Sequence, residues 1–219
     1  MNFDSVKQAN VKDEYKEIYR FIWNNIIYIT TQEILNLAQT LTITSEDDQK
    51  YDACLVGRNS GSEKWLANQL YPSIPTITDL TENLKHVLLI DDACYSGTNI
   101  CSLLDQPNRS TKTFFHIKIC VATEEGIKVI RNFLDDCKVS YSVECGRLVP
   151  TISEIVKQSG YDMNWKKYNE IVEPGTTNYY DGPIYDCSTV ALEYKIANCF
   201  GTVEAFILPF LQSIPKKSY

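Results

Sequence analysis

Histidine and methionine are scarce, with two of each in 219 residues. His86 and His116 lie far apart, and none of the eight cysteines pairs in a Cys-x-x-Cys spacing. Both facts argue against a structural zinc site. No uninterrupted apolar run approaches the roughly 18 residues that a membrane span needs. The polar opening MNFDSVKQANVKDEYKE has no apolar core of the kind a secretory leader carries. Basic residues are in deficit: 21 Lys and Arg against 28 Asp and Glu give a net charge of −7. Such a chain is a poor generic binder of nucleic acid or anionic membranes, and no local run of Lys or Arg reverses that. Gly-x-Gly-x-x-Gly and Gly-x-x-x-x-Gly-Lys-Ser/Thr are both absent, which counts against a dinucleotide-binding or Walker-type phosphate loop.

The remaining composition is globular, with 44% hydrophobic and 22% charged residues, 14 Tyr, 8 Phe and 3 Trp. Several cysteines sit in apolar runs (DACLVG, IKICVAT), so buried reduced thiols in a cytoplasmic protein are expected. Apolar spacing predicts a helix over 12–28 and a second from Thr31. After a polar break at 45–50, short apolar runs alternate with helical patterns. Strands are expected at 52–56, 74–77, 86–90, 114–122 and 139–143, and helices at 62–71, 99–104 and 124–134. That alternation predicts an α/β core with a parallel sheet over 50–146, preceded by N-terminal helices in 1–49. Residues 147–219 are expected to form an irregular or helical extension, with a helix around 162–171 and another within 188–212. Loops after Val56 and Ile90 would meet at the carboxyl edge of the sheet, where open α/β folds bind ligands.

The segment His86–Asn99 reads HVLLIDDACYSGTN. An apolar strand leads into two acids, then a small-residue loop that opens a helix. It resembles the fingerprint of the type I phosphoribosyltransferases. Upstream, LVGRNSGS over 55–62 stands where that family places its pyrophosphate-binding loop. The resemblance implies a Rossmann-like sheet of that family's type, a C-terminal hood, and binding of phosphoribosyl pyrophosphate with Mg²⁺. It implies that Asp91 and Asp92 hold the ribose hydroxyls and the metal, and that Arg58 stabilises departing pyrophosphate beside Gly57, Asn59 and Ser60. Cys94, Tyr95, Ser96, Gly97, Thr98 and Asn99 would anchor the 5′-phosphate.

The residue types suit that chemistry on their own terms. Backbone N–H groups and small hydroxyls surround phosphate well, glycine permits close approach, and a guanidinium is a forked donor to phosphate oxygens. The bland alternatives are a capped strand-to-helix connection at 91–99 and an ordinary turn with a solvated Arg58 at 57–60. Three departures from the family stand out. Only 14 residues, 72–85, separate the preceding helix from the motif strand, and Lys85 is their sole base, so a closing lid is short or missing. Tyr95 stands where the 6-oxopurine enzymes place an Asp, and Asn99 where Thr is usual. Tyr179, Tyr180, Tyr185, Glu193, Lys195 and Asn198 are candidates for contacting a base, or for packing the hood.

Two functions follow as expectations. One is transfer of phosphoribose to a nitrogen acceptor with loss of pyrophosphate. The other is a regulatory or effector module, conceivably of a bacterial defence system, that binds phosphoribosyl pyrophosphate or a nucleotide without turnover. A different mononucleotide-binding α/β protein is a third, weaker reading. The acceptor is not legible; a homodimer or larger complex is an expected partner state, and the aromatic tail AFILPFLQSIP either forms a dimer contact or packs on its own hood.

Overall fold

The computed structural model describes residues 12–42, 51–57, 61–172, 182–183, 186, 188–192 and 195–196. In chain order the elements are α1 (Lys16–Asn24), β1 (Ile27–Ile29), α2 (Thr31–Thr42), β2 (Ala53–Leu55), α3 (Ser62–Leu70), β3 (Thr76–Ile77), β4 (His86–Cys94), α4 (Thr98–Leu104), β5 (Phe114–Ala122), α5 (Glu124–Asp136), β6 (Ser140–Leu148), α6 (Ile152–Ser159), α7 (Trp165–Val172), β7 (Val190–Leu192) and β8 (Lys195–Ile196). A short 3-10 turn, Asp13–Tyr15, precedes α1. They divide into two compact units, residues 32–149 and residues 1–31 with 150–219.

Residues 32–149 build an α/β unit on a five-stranded sheet in the order β3-β2-β4-β5-β6, with every pairing parallel. The order reverses direction between β2 and β4. Strands β4 and β5 pair along their whole length, from His86 with Phe114 to Cys94 with Ala122. Both are nearly continuous apolar runs, as a strand covered on two faces requires. Val87, Leu89, Phe115, Ile117 and Ile119 pack with Ile100 and Leu104 of α4 and with Ile130 and Leu134 of α5.

Several buried polar residues of this unit find partners. The Lys118 ammonium, only 1% exposed, donates to the Leu41 carbonyl at 2.6 Å and lies over the Tyr51 ring. His86 Nδ1 and His116 Nε2 are 3.1 Å apart. One ring must donate and the other accept for that contact to hold.

The second unit has its own small sheet, β1-β7-β8. Strand β1 runs parallel to β7, and β7 is antiparallel to β8. Thr189 Oγ1 donates to the Asn25 carbonyl at 2.6 Å, and Phe21 stacks on Tyr161 with ring centroids 4.1 Å apart. A capping box starts α6: Thr151 accepts from the Glu154 N–H, and Glu154 accepts from the Thr151 N–H. Gly160 closes α6 in the left-handed conformation.

Three expectations about local structure are corrected. The first helix stops at Asn24, where Asn25 caps the Phe21 carbonyl, and Ile27–Ile29 forms a strand. The alternation of β-branched residues there outweighs the helical spacing. Strand β4 continues through Asp91 and Asp92 to Cys94, because the ladder with β5 carries on past the apolar run. Strand β6 extends to Leu148 for the same reason. Within 188–212, Val190–Leu192 and Lys195–Ile196 are strands; residues 197–219, with Asn198, the aromatic tail and most of the span read for a helix, lie outside the described residues, as do Tyr179, Tyr180, Tyr185 and Glu193.

Among the described residues, no helix is long and apolar enough to cross a membrane.

Asp52 ties the start of β2 to the start of β4. Its Oδ2 accepts from the N–H groups of Lys85 at 2.6 Å and His86 at 2.9 Å. The His86 and Lys85 N–H groups hold its carboxyl below the ordinary range. A depressed folded value contributes stability above the unfolded pKa of ~3.9 and loses it as pH falls through the folded value. Urea denaturation across that acid range is expected to give a flatter stability profile for Asp52→Asn than for the wild type.

Candidate functional site

In an open parallel sheet, the crevice beyond the carboxyl ends of two strands opens where the strand order reverses. Here that point lies between β2 and β4, and the loops that follow them are the two singled out in the sequence. The two motif segments are tied by one side-chain bond: Ser62 Oγ, on the first residue of α3, donates to Asp91 Oδ1 within β4 at 3.2 Å. The same oxygen accepts the Asp92 N–H at 2.9 Å.

The loop after β4 is built by close backbone approach. Gly97 adopts φ +76°, the left-handed region, and caps α4. A Cβ there would lie 2.8 Å from the Gly126 carbonyl oxygen, and a Cβ on Gly126 would lie 2.9 Å from the Tyr95 carbonyl oxygen. The two glycines thus let the loop rest on the first turn of α5. Thr123 straps it there: its Oγ1 donates to the Tyr95 carbonyl at 2.6 Å and accepts the Gly126 N–H at 3.0 Å. Its own N–H donates to the Cys94 carbonyl. The exposed Ser96 and Thr98 hydroxyls face each other at 3.2 Å, and exposed Asn99 follows on α4.

Asp91 and Asp92 lie inside β4 and are buried, Asp92 completely. Successive strand residues leave on opposite faces, so the two carboxylates meet different surroundings. Asp91 reaches Ser62. Asp92 acts more strongly than Asp91 on the Tyr95 phenol and the Cys120 thiol; burial first, then these carboxylates, push both groups up. The Tyr95 hydroxyl is enclosed and has no hydrogen-bond partner.

Cys94 ends the strand instead of lining a phosphate loop. Burial pushes its thiol up to about 12, so it stays neutral and unreactive at physiological pH.

At the β2 end, Gly57 is half-buried and its N–H donates to Glu63 Oε1 at 3.0 Å. Arg58, Asn59 and Ser60 lie outside the described residues. A cavity of about 430 Å³ opens on the β3 side of β2, lined by Val56, Gly57, Lys64, Thr76, Thr78 and Asp79. Among the described residues, no group of three or more His, Cys, Asp or Glu is placed to hold a metal ion.

Sequence reasoning missed Ser62, Glu63, Thr123 and Gly126. Two signals were available: an acid early in the helix after a Gly-Ser turn, and the sequence Thr-Glu-Glu-Gly directly after a strand, which reads as a helix cap.

Known proteins offer a limited comparison. No family model matches the chain, and no curated protein does. Two solved phosphoribosyltransferases are similar to it. One is the orotate phosphoribosyltransferase from Aeropyrum pernix, at 18% identity and a TM-score of 0.36, covering 57% of this chain and 74% of that one. The other is a hypoxanthine-guanine-xanthine phosphoribosyltransferase, at 20% identity and a TM-score of 0.29, covering 54% and 72%. Likenesses this loose leave the reading of the site to the chain's own residues.

Two outcomes are expected. Gly97→Ala and Gly126→Ala should each lower stability by about 1–3 kcal/mol in urea denaturation, from strained φ in the first case and backbone overlap in both. Cys94 should resist iodoacetamide at pH 8 in the folded protein and react once urea unfolds it, as read by peptide mass spectrometry.

Proposed function

We propose that the chain binds a phosphoribosyl compound at the carboxyl edge between β2 and β4. The observation that carries this is the Ser62–Asp91 hydrogen bond, which ties the first residue of α3 to β4 beside the point where the strand order reverses. The loop from Ser96 to Asn99 offers hydroxyls, a glycine and the opening of α4 to the 5′-phosphate. Asp91 would be the carboxylate that holds the ribose hydroxyls, as it lies at the tied end of β4.

Two uses of such a site differ in what happens next. In transfer, a nitrogen nucleophile attacks the anomeric carbon of phosphoribosyl pyrophosphate and pyrophosphate leaves. Mg²⁺ would neutralise the leaving group. It needs only one or two carboxylates when phosphate and water supply its other oxygens, and Asp91 and Asp92 are the acids available. Arg58 would assist, and anchoring the 5′-phosphate would orient the reacting carbon. The second use is retention of the ligand without turnover, as a sensing or effector module of a cytoplasmic protein. Burial favours this use, since a wholly enclosed Asp92 is poorly disposed to exchange ligands with an incoming metal.

The test is calorimetric titration of ribose 5-phosphate into the purified chain. Micromolar binding is expected in the wild type. A loss of at least tenfold is expected both in Asp91→Asn and in the double variant Ser96→Ala/Thr98→Ala. No binding in the wild type, or equal binding in all three proteins, would refute the site. Pyrophosphate release from phosphoribosyl pyrophosphate and Mg²⁺, offered nucleobases and small amines, separates transfer from retention.

A further inference from the structure

The loop that the phosphoribosyl reading assigns to phosphate is held from outside itself. At its tip the Ser96 and Thr98 hydroxyls bond one another, 3.2 Å apart, and both residues are exposed. Where those hydroxyls point is therefore set by the backbone beneath them. Three contacts tie that backbone to residues 123–126. The Thr123 N–H donates to the Cys94 carbonyl at 3.1 Å. The Thr123 hydroxyl donates to the Tyr95 carbonyl at 2.6 Å. Gly97 lies so near the Gly126 carbonyl oxygen that a Cβ would stand 2.8 Å from it.

Thr123 does more here than cap a helix. A cap needs only a side-chain acceptor, and the Thr123 oxygen fills that role by accepting the Gly126 N–H at 3.0 Å. Its single proton goes to the loop. The residue is wholly buried, so water cannot stand in for either bond. One hydroxyl thus couples the first turn of α5 to the loop. If the loop moves away, the Tyr95 carbonyl leaves, and the hydroxyl is free to swing off the Gly126 N–H. A ligand that binds only the seated loop holds both bonds closed.

Resting on the phosphoribosyl reading above, we propose that Thr123 is the positioning residue of the phosphate loop. It touches no ligand atom, and through it an occupied loop is felt at the first turn of α5.

The test measures ribose 5-phosphate binding by calorimetry in the wild type and in Thr123→Val, Thr123→Ser and Thr113→Val. Valine keeps the shape of threonine without the hydroxyl, and serine restores the hydroxyl. Thr113, just ahead of β5 at the opposite end of the strand, is the control. It is 2% exposed, and its hydroxyl donates to the Leu84 carbonyl at 2.7 Å, so its loss removes a comparable buried bond away from the loop. Thr123→Val should bind about tenfold more weakly or worse, the scale of one broken buried hydrogen bond, with Thr123→Ser back to within about threefold and Thr113→Val within about twofold of the wild type. In the wild type, saturating ligand should slow hydrogen exchange of the Gly126 amide about fivefold or more and leave the Cys137 amide, at the far end of α5, unchanged. Equal losses in Thr123→Val and Thr113→Val, failure of serine to restore binding, or a Gly126 amide indifferent to ligand would overturn the positioning role and leave the phosphoribosyl site standing. The exchange measurement decides alone if Thr123→Val does not fold. Absence of binding by the wild type would overturn the site and this inference together.

Discussion

The register between β4 and β5 is the constraint on which the α/β unit depends. Nine residues of each strand run side by side with the same offset throughout. Almost every residue along them is buried, so a slip by one position would send the apolar set of each strand to the wrong layer. That pairing fixes the height at which β4 ends, and hence where Cys94 hands over to the small-residue loop. Thr123 lies just past the end of β5 and grips the same loop from behind. Strand pairing and loop position are therefore a single device, because the residue that caps α5 is also the residue that bonds Tyr95.

Polar groups in this unit are placed by the same economy. Lys118 and the paired imidazoles of His86 and His116 occupy sheet positions and are bonded there. Unbonded, each would cost heavily in a dry interior. Glu63 and Asp91 follow the rule at the carboxyl edge, where backbone N–H groups and a hydroxyl take up their oxygens.

Much of this was legible in the sequence. The alternation of strands and helices over 52–145 and the parallel sheet follow from apolar runs and small-residue loops. What escaped has specific physical causes. Asp91 and Asp92 read as a strand terminator because acids usually leave a sheet, yet the β5 ladder holds them in it. Glu63 read as an ordinary residue of an exposed first turn, since periodicity cannot show a side chain folding back onto the Gly57 N–H. The strand Ile27–Ile29 was hidden because its partner, β7, is distant in sequence, and a lone three-residue run has no local signal of pairing. Arg58 was chosen for its place in the segment 55–62 that resembles the family's pyrophosphate loop, and it lies outside the described residues.

The small sheet of the second unit has a consequence for the order in which the protein is made. Ile27 pairs with Val190, so the two halves of one strand pair stand 190 − 27 = 163 positions apart in the order of synthesis. At ribosomal speeds of roughly 5–20 residues per second, β1 emerges about 8–33 s before its partner exists. The α/β unit, whose residues 32–149 are contiguous, can close during that interval. Throughout it, the amino-terminal segment holds its apolar isoleucines without the strand that will cover them, which makes it the natural stretch for a chaperone to shield during translation.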